Sequence, residues 1–169
     1  MTNLASEDPV AALHNPLDLL EQLVAEQDWV YDRTSEDEVS AVVPGSWCEY
    51  QLRFFWREEE TVLQVACAFD MRVPEAKRPA IYETLALVNE RMWMGHFELW
   101  SEDGTVLFRH ATFLDEDVSG MSLNHAELLI QCAISECERL YPVFQFVLWA
   151  GKKPQEALEA ALLETVGEA

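Results

Sequence analysis

Two neighbouring stretches of the chain alternate between apolar and polar residues, and this pattern constrains the fold more than any other feature. In SWCEYQLRFFW (46–56) the even positions form the apolar set, and in TVLQVACAFDM (61–71) the odd positions from Leu63 onward do so. A period of two is typical of half-buried strands. The intervening residues Arg57 to Glu60 predict a turn that sets Phe54 opposite Leu63, so that apolar residues face apolar residues along the pair.

A second hairpin is predicted by Asp103-Gly104, a dipeptide that favours a two-residue turn. In that register Glu98 faces Arg109 as a cross-strand ion pair, and the apolar residues gather on the other face. A three-residue turn with a glycine bulge would instead set His96 beside His110. We favour the first register because it pairs the charges.

Helices are predicted on both sides of these strands. Asn15 can cap a first helix over 16–27. A second helix spans about 75–92, and its start falls near Arg78 because Pro79 is tolerated only in a first turn.

The C-terminal part of the chain is predicted to be helical in three pieces. Ser122 caps a long helix whose apolar stripe ends at Leu140. Pro142 cannot continue that helix without a kink, so we expect a separate segment over 143–149, which is apolar almost all round. A last amphipathic helix begins near Pro154.

The order of these elements, with a further short strand at 38–43, predicts an α+β fold. We expect an antiparallel sheet of about five strands with helices packed on one face. The domain should cover 14–169, after a flexible acidic arm over 1–13. The N-terminus has no signal-peptide pattern, and no apolar stretch is long enough to cross a membrane.

Charge and cysteine content indicate where the chain works and what it avoids. With 31 acidic and 11 basic residues its formal net charge is −20. Nucleic acid and anionic membranes are therefore repelled, whereas a basic partner is attracted. The four cysteines form no CxxC pair and no zinc spacing, which indicates reduced thiols in the cytoplasm.

The polar residues of the second hairpin resemble a catalytic or metal site, and we interpret them as structural. His96 and His110 lack a third ligand at a diagnostic spacing, so we expect no metal. Asn89 should hydrogen-bond a loop backbone. No nucleotide-binding or hydrolase motif occurs, so we expect no cofactor and no catalytic residue. The alternative hypothesis is a small-molecule-binding or enzymatic pocket near Asn89, His96 and Arg109.

Exposed aromatic residues favour contact with another protein. Trp47 and Phe55 are predicted on the outer face of their strand. Because 143–149 is apolar on nearly every side, part of it should meet either another helix of the same chain, such as the C-terminal one, or a second chain, and we favour the second chain. We therefore predict a homodimer formed through 143–149 or through the outer sheet face. The candidate partner-binding residues are Trp47, Phe55, Trp100, Phe146 and Trp149.

From Trp47 to Gly167 the sequence resembles the YbjN-like proteins, a family of bacterial sensory transduction regulators. The resemblance rests on SWCEYQLRFFW, CAFDMRVPEAKRPAIYETLALVNERMWMGHFEL, GTVLFRHATF and ECERLYPVFQFVLWAGKKPQEAL. It implies a fold similar to that of type III secretion chaperones, which are often dimeric, and it brings no catalytic residue. We therefore expect a non-enzymatic regulator or chaperone-like adaptor that binds a protein or peptide in the bacterial cytosol.

Overall fold

The chain forms one antiparallel sheet with helices on one of its faces. The computed structural model describes residues 15–114 and 120–166, so the predicted arm over 1–13 lies outside the described residues. Within them the strands are β1 Val30–Ser35, β2 Glu38–Pro44, β3 Glu49–Arg57, β4 Val62–Arg72, β5 His96–Leu99 and β6 Thr105–Phe113, and the helices are α1 Pro16–Glu26, α2 Arg78–Asn89, α3 Leu123–Leu148 and α4 Pro154–Val166. The strand order is β1-β2-β3-β4-β6-β5, and each neighbouring pair is antiparallel. This architecture confirms the predicted α+β class.

The sheet has six strands in the described residues, one more than the sequence predicted. The additional strand is β1, which lies at the edge of the sheet and pairs with β2. Five of its six residues are exposed and none is buried. An edge strand of this kind carries no apolar alternation, and for that reason the sequence pattern does not reveal it.

The predicted faces of β3 and β4 are correct, but the predicted register is wrong. Phe54 lies opposite Val65 rather than Leu63, because the turn occupies Glu58–Thr61 and begins one residue later than predicted. The turn closes through Thr61, whose φ is 50° and whose N–H donates to Glu58 O at 3.1 Å. A shift of one residue in both strands leaves every apolar residue on the same face, so the burial pattern cannot distinguish the two registers.

The β5–β6 hairpin also keeps its predicted faces and changes its register. Phe97 lies opposite Phe108, and His96 lies opposite Arg109, so neither of the two predicted registers occurs. Glu98 and Arg109 still form the predicted ion pair, now across a diagonal of the ladder. The connection is a five-residue loop, Trp100 to Gly104, in which Gly104 has a φ of +76°. Gly104 O accepts from Val73 N at 2.8 Å, and a Cβ on Gly104 would lie 2.5 Å from Val73 O. The contact of Gly104 with Val73 favours this loop over the shorter two-residue turn that the sequence predicted.

Four predicted helix starts are confirmed, including the Ser122 cap of α3 and the start of α4 at Pro154. Asn15 Oδ1 accepts from Leu17 N at 2.9 Å at the start of α1. A short 3₁₀ turn over Glu75–Lys77 precedes α2, which begins at Arg78 with Pro79 in its first turn. Proline is compatible with this position because its missing N–H would have no helical partner there.

The predicted break at Pro142 is wrong, because α3 runs without interruption from Leu123 to Leu148. Proline has no N–H, so the carbonyl four residues earlier, that of Glu138, loses its helical partner. The indole Nε1 of Trp47 donates to Glu138 O at 3.0 Å and takes that place. Residues 143–149 therefore continue α3 rather than forming a separate segment.

The core lies between the sheet and the helices and is rich in aromatic rings. α1 contacts β1, β2 and β3, whereas α3 contacts β4 and β6, and α4 packs on α2 and α3. Phe69 is at the centre, with its ring 5.1 Å from that of Tyr141, 5.6 Å from that of Phe144 and 5.7 Å from that of Phe97. The described helices all pack on this side of the sheet. We call the other face, which no described helix covers, the open face.

Candidate functional site

The open face carries a shallow concavity of about 470 Å³. Its floor contains Ala66 and Ala68 on the central strand β4, where small side chains leave room between longer neighbours. Phe55 and Trp100 are the two large aromatic side chains of the outward surface that line it, together with Leu107, whose side chain is buried. The two alanines at outward positions of β4 are a sequence signal for this concavity, and the prediction overlooked them.

Three arginines of the open face are each paired with a carboxylate. Arg53 pairs with Glu38, and Arg109 pairs with Glu98. Arg72 lies 3.7 Å from Asp103. Each of these three pairs is neutral, but Asp70 also lines the concavity and adds a negative charge outside them, and the whole chain carries −20.

Asp103, the carboxylate beside Arg72, is also held by hydrogen bonds within its own segment. Asp103 Oδ1 accepts from the Thr105 hydroxyl at 2.7 Å and from Thr105 N at 3.0 Å. These hydrogen bonds, with the guanidinium of Arg72, hold the pKa of Asp103 below its ordinary value. The carboxylate therefore stays ionised at neutral pH and fixes the loop beside Trp100.

Phe55 and Trp100 are held in place by polar neighbours. The Arg53 guanidinium lies 4.9 Å from the centre of the Phe55 ring, which is a cation–π contact. Trp100 Nε1 donates to Glu98 Oε1 at 3.0 Å, and the side chain is 44% exposed. The structure thus brings these two predicted residues to one concavity, at its two ends.

The other three predicted residues lie at the C-terminal half of α3, on the helical side. Trp47 is not on an outer strand face, because it precedes β3 and stacks on Tyr141 with ring centres 6.3 Å apart. Trp149 contacts the same Tyr141 edge-on at 6.5 Å and is 62% exposed. The ring of Phe146 lies 5.3 Å from Lys152 Nζ.

The apolar surface of 143–149 is largely covered by the chain itself. Val143, Phe144, Val147 and Leu148 are buried, in the core and beneath α4, and only Trp149 is exposed. Of the two covers that the sequence left open for this segment, the C-terminal helix and a second chain, the C-terminal helix α4 is the one present in the structure.

The structure brings His96 and Arg109 together as cross-strand neighbours that both contact Glu98, whereas Asn89 contacts the backbone of Phe97. Asn89 accepts from Phe97 N at 2.8 Å and donates to Phe97 O at 3.0 Å, so its amide is engaged with the backbone, as predicted. His96 Nε2 lies 3.4 Å from Glu98 on the open face. His110 faces the core side, where burial lowers its pKa, with smaller contributions from His125 and His96.

The thiols are placed for packing rather than for nucleophilic chemistry. All four cysteines are free. Burial raises the pKa of the Cys48, Cys132 and Cys137 thiols, and Cys137 Sγ donates to Cys67 O at 3.6 Å. A raised pKa lowers the fraction of the reactive thiolate. In residues 15–114 and 120–166 no three histidine, cysteine, aspartate or glutamate residues are grouped as metal ligands.

The arrangement defines a class: an α+β domain with one layer of helices and one uncovered, charge-paired sheet face. The chain belongs to the YbjN family, whose model, described as "Putative bacterial sensory transduction regulator", matches residues 16–146. A crystal structure of YbjN from E. coli, described as "a putative transcription regulator", is similar to this fold with a TM-score of 0.52 at 8% identity, over 88% of this chain and 93% of that one. No curated protein matches the sequence. None of the described helices is long and apolar enough to span a membrane.

Proposed function

We propose that this member of the YbjN family regulates by binding protein rather than by catalysis, and that it acts as a homodimer joined through the open face. The observation that carries the proposal is the concavity between Phe55 and Trp100, over the floor of Ala66 and Ala68. A ring from one copy can enter the space above the alanines of the other copy. A twofold axis then forms the same contact twice.

The charges of the open face support this occupant. Two chains of net charge −20 repel each other, so they associate most readily where the local charge is balanced. The pairs of Arg53 with Glu38 and of Arg109 with Glu98 are neutral parts of the open face, although Asp70 in the concavity keeps a negative charge there. Because each arginine already has its carboxylate, burying this surface leaves these charges paired.

The size of the open face is also compatible with a stable dimer. With strands about 4.8 Å apart and roughly 3.3 Å per residue, the face of this sheet has a projected area on the order of 600 Å². Stable interfaces bury about 800 Å² of accessible surface on each partner, and accessible surface exceeds projected area where side chains protrude.

Light scattering at micromolar concentration tests the dimer. The expected mass is twice the 19.4 kDa of one chain. Phe55→Asp should reduce it to that of a monomer without unfolding the protein, because it places a charge on the open face and not in the core. The matched control is Tyr82→Asp, which adds the same charge at an aromatic residue of α2 that is 50% exposed. A parent protein with the mass of one chain would refute the dimer.

We also propose the cytoplasm as the site of action. The four cysteines are all thiols, including the half-buried Cys48 and Cys132, which an oxidising compartment would expose to disulfide exchange. Fractionation of the native cells, with blotting against the chain, tests this. Recovery in a periplasmic extract would contradict it.

A further inference from the structure

A groove of about 440 Å³ lies on the helical side, between the end of α1 and the flank of α3. Its apolar lining comes from Leu23 and Trp29 on one wall and from Ile130 and Ile134 on the other. The two isoleucines are four residues apart and therefore share one face of α3. Trp29, Ile130 and Ile134 are only partly buried.

The groove exists because α1 is much shorter than α3. α1 ends at Glu26, and Asp28, with a φ of 58°, turns the chain into β1. α3 has 26 residues, so part of its flank continues past the end of α1. The apolar side chains on that flank, Ile130 and Ile134, are left without a described helix over them.

Two carboxylates stand at the rim of the groove. These are Glu26 on α1 and Glu127 on α3, and neither has an ion-pair partner among the described residues. Glu26 accepts a hydrogen bond from the Gln22 amide at 3.0 Å. It lies in the last turn of α1, where the helix dipole disfavours a negative charge and where α1 has no basic residue. The helix dipole therefore does not account for an acid at this position, and its side-chain contact within α1 is the exposed hydrogen bond from Gln22.

We propose that this groove binds an amphipathic helix with basic residues, supplied by a protein partner. The apolar side of such a helix would contact Leu23, Ile130 and Ile134, with Trp29 as the large rigid wall that interfaces favour. Its lysines or arginines would pair with Glu26 and Glu127. The net charge of −20 attracts a basic segment from a distance, and the two rim carboxylates fix its position.

This proposal deepens the proposed function, since it names the chemistry of a partner, but it uses a surface separate from the open face. The groove involves α1 and α3, which lie on the opposite side of the sheet. Variants of the groove and variants at Phe55 therefore report on the two proposals independently.

The test starts from a library of short random peptides displayed on phage and selected on the parent protein near physiological salt. The enriched peptides should be rich in lysine and arginine, with apolar residues three and four positions apart. Their affinities are then measured by fluorescence anisotropy against the parent, Glu26→Lys, Glu127→Lys and Ile134→Ala. Each charge reversal should weaken binding by about tenfold or more, and the loss should be smaller at high salt, where charges are screened.

Glu26→Lys is the decisive variant because it should not weaken the fold. A lysine in the last turn of α1 interacts favourably with the helix dipole, which offsets the loss of the exposed hydrogen bond from Gln22, so the melting temperature should be maintained while peptide binding falls. Glu83→Lys, an equal change of charge at an exposed position of α2, is the control and should bind as the parent does within about twofold. Enriched peptides that are neutral or acidic, or that bind Glu26→Lys as tightly as the parent, would overturn the proposal. Peptides lost with Phe55→Asp but retained with Glu26→Lys would move the site to the open face and would also overturn it.

Discussion

Replacing Trp47 with phenylalanine keeps a ring over Tyr141 and removes the indole N–H that donates to Glu138 O at 3.0 Å. That carbonyl has no helical partner, because Pro142 stands four residues later. A net hydrogen bond contributes about 1 kcal/mol, and water can replace part of it because Trp47 is 48% exposed. We expect Trp47→Phe to lower the free energy of unfolding by about 1–2 kcal/mol, with the smaller ring adding to the lost hydrogen bond.

The same substitution should be less harmful once Pro142 is replaced by alanine. The new alanine supplies a backbone N–H that can donate to Glu138 O, so the carbonyl remains paired without Trp47. The cost of Trp47→Phe should therefore fall by about 1 kcal/mol in the Pro142→Ala background, leaving only the loss of ring contact. The effect of Pro142→Ala alone does not enter this difference.

Urea denaturation of the four proteins measures the coupling. Trp149→Phe serves as the matched control, because Trp149 contacts the same Tyr141 ring, whereas the donor to Glu138 O is Trp47. It should cost the same free energy of unfolding with Pro142 and with alanine at that position. Equal costs of Trp47→Phe in both backgrounds would refute the account of how α3 continues through its proline.

Three further measurements follow from the polar groups. Burial and the charge of Glu138 raise the pKa of Tyr50. The tyrosine of the unfolded chain therefore ionises first, and the free energy of unfolding should fall above about pH 10. Tyr50→Phe should reduce that fall in thermal melts. The pKa of His110 is lowered, so stability should fall as the pH drops below about 6.5, and His110→Gln should reduce that dependence in urea titrations. Glu98→Arg and Arg109→Glu should each cost roughly 0.2–1 kcal/mol, and their combination should recover most of it; a double mutant no better than the sum would show that the ion pair contributes nothing.

The elements that could be predicted are those whose local pattern and burial agree. The alternating apolar residues of β3 and β4 identified both strands and their buried faces, and Asn15 and Ser122 marked where helices begin. The registers could not be predicted, because neighbouring registers of the same parity bury the same residues. Long-range contacts decide between them, such as that of Gly104 with Val73.

The candidate site could be predicted only where local sequence pattern determines the position of a side chain. Phe55 could be placed on the outer face from its strand position alone. Trp47 could not, because its position is set by a helix carbonyl 91 residues away in sequence. A separate segment over 143–149 was predicted because a proline inside a helix is normally costly, and the compensating donor, Trp47 Nε1, is invisible to local pattern.

If the open face joins two copies and the α1–α3 groove binds a basic helix, each dimer carries two grooves that face away from each other. The groove and the open face lie on opposite sides of the sheet, so peptide binding should neither compete with dimer formation nor depend on it. We expect titration calorimetry to give one peptide per chain, with the same affinity within about twofold for the parent dimer and for monomeric Phe55→Asp, because neither groove changes its surroundings. Light scattering of the peptide-saturated parent should still show the dimer. One peptide per two chains, or a dimer that dissociates as peptide is added, would show that the two surfaces overlap and that at least one of them is wrongly assigned.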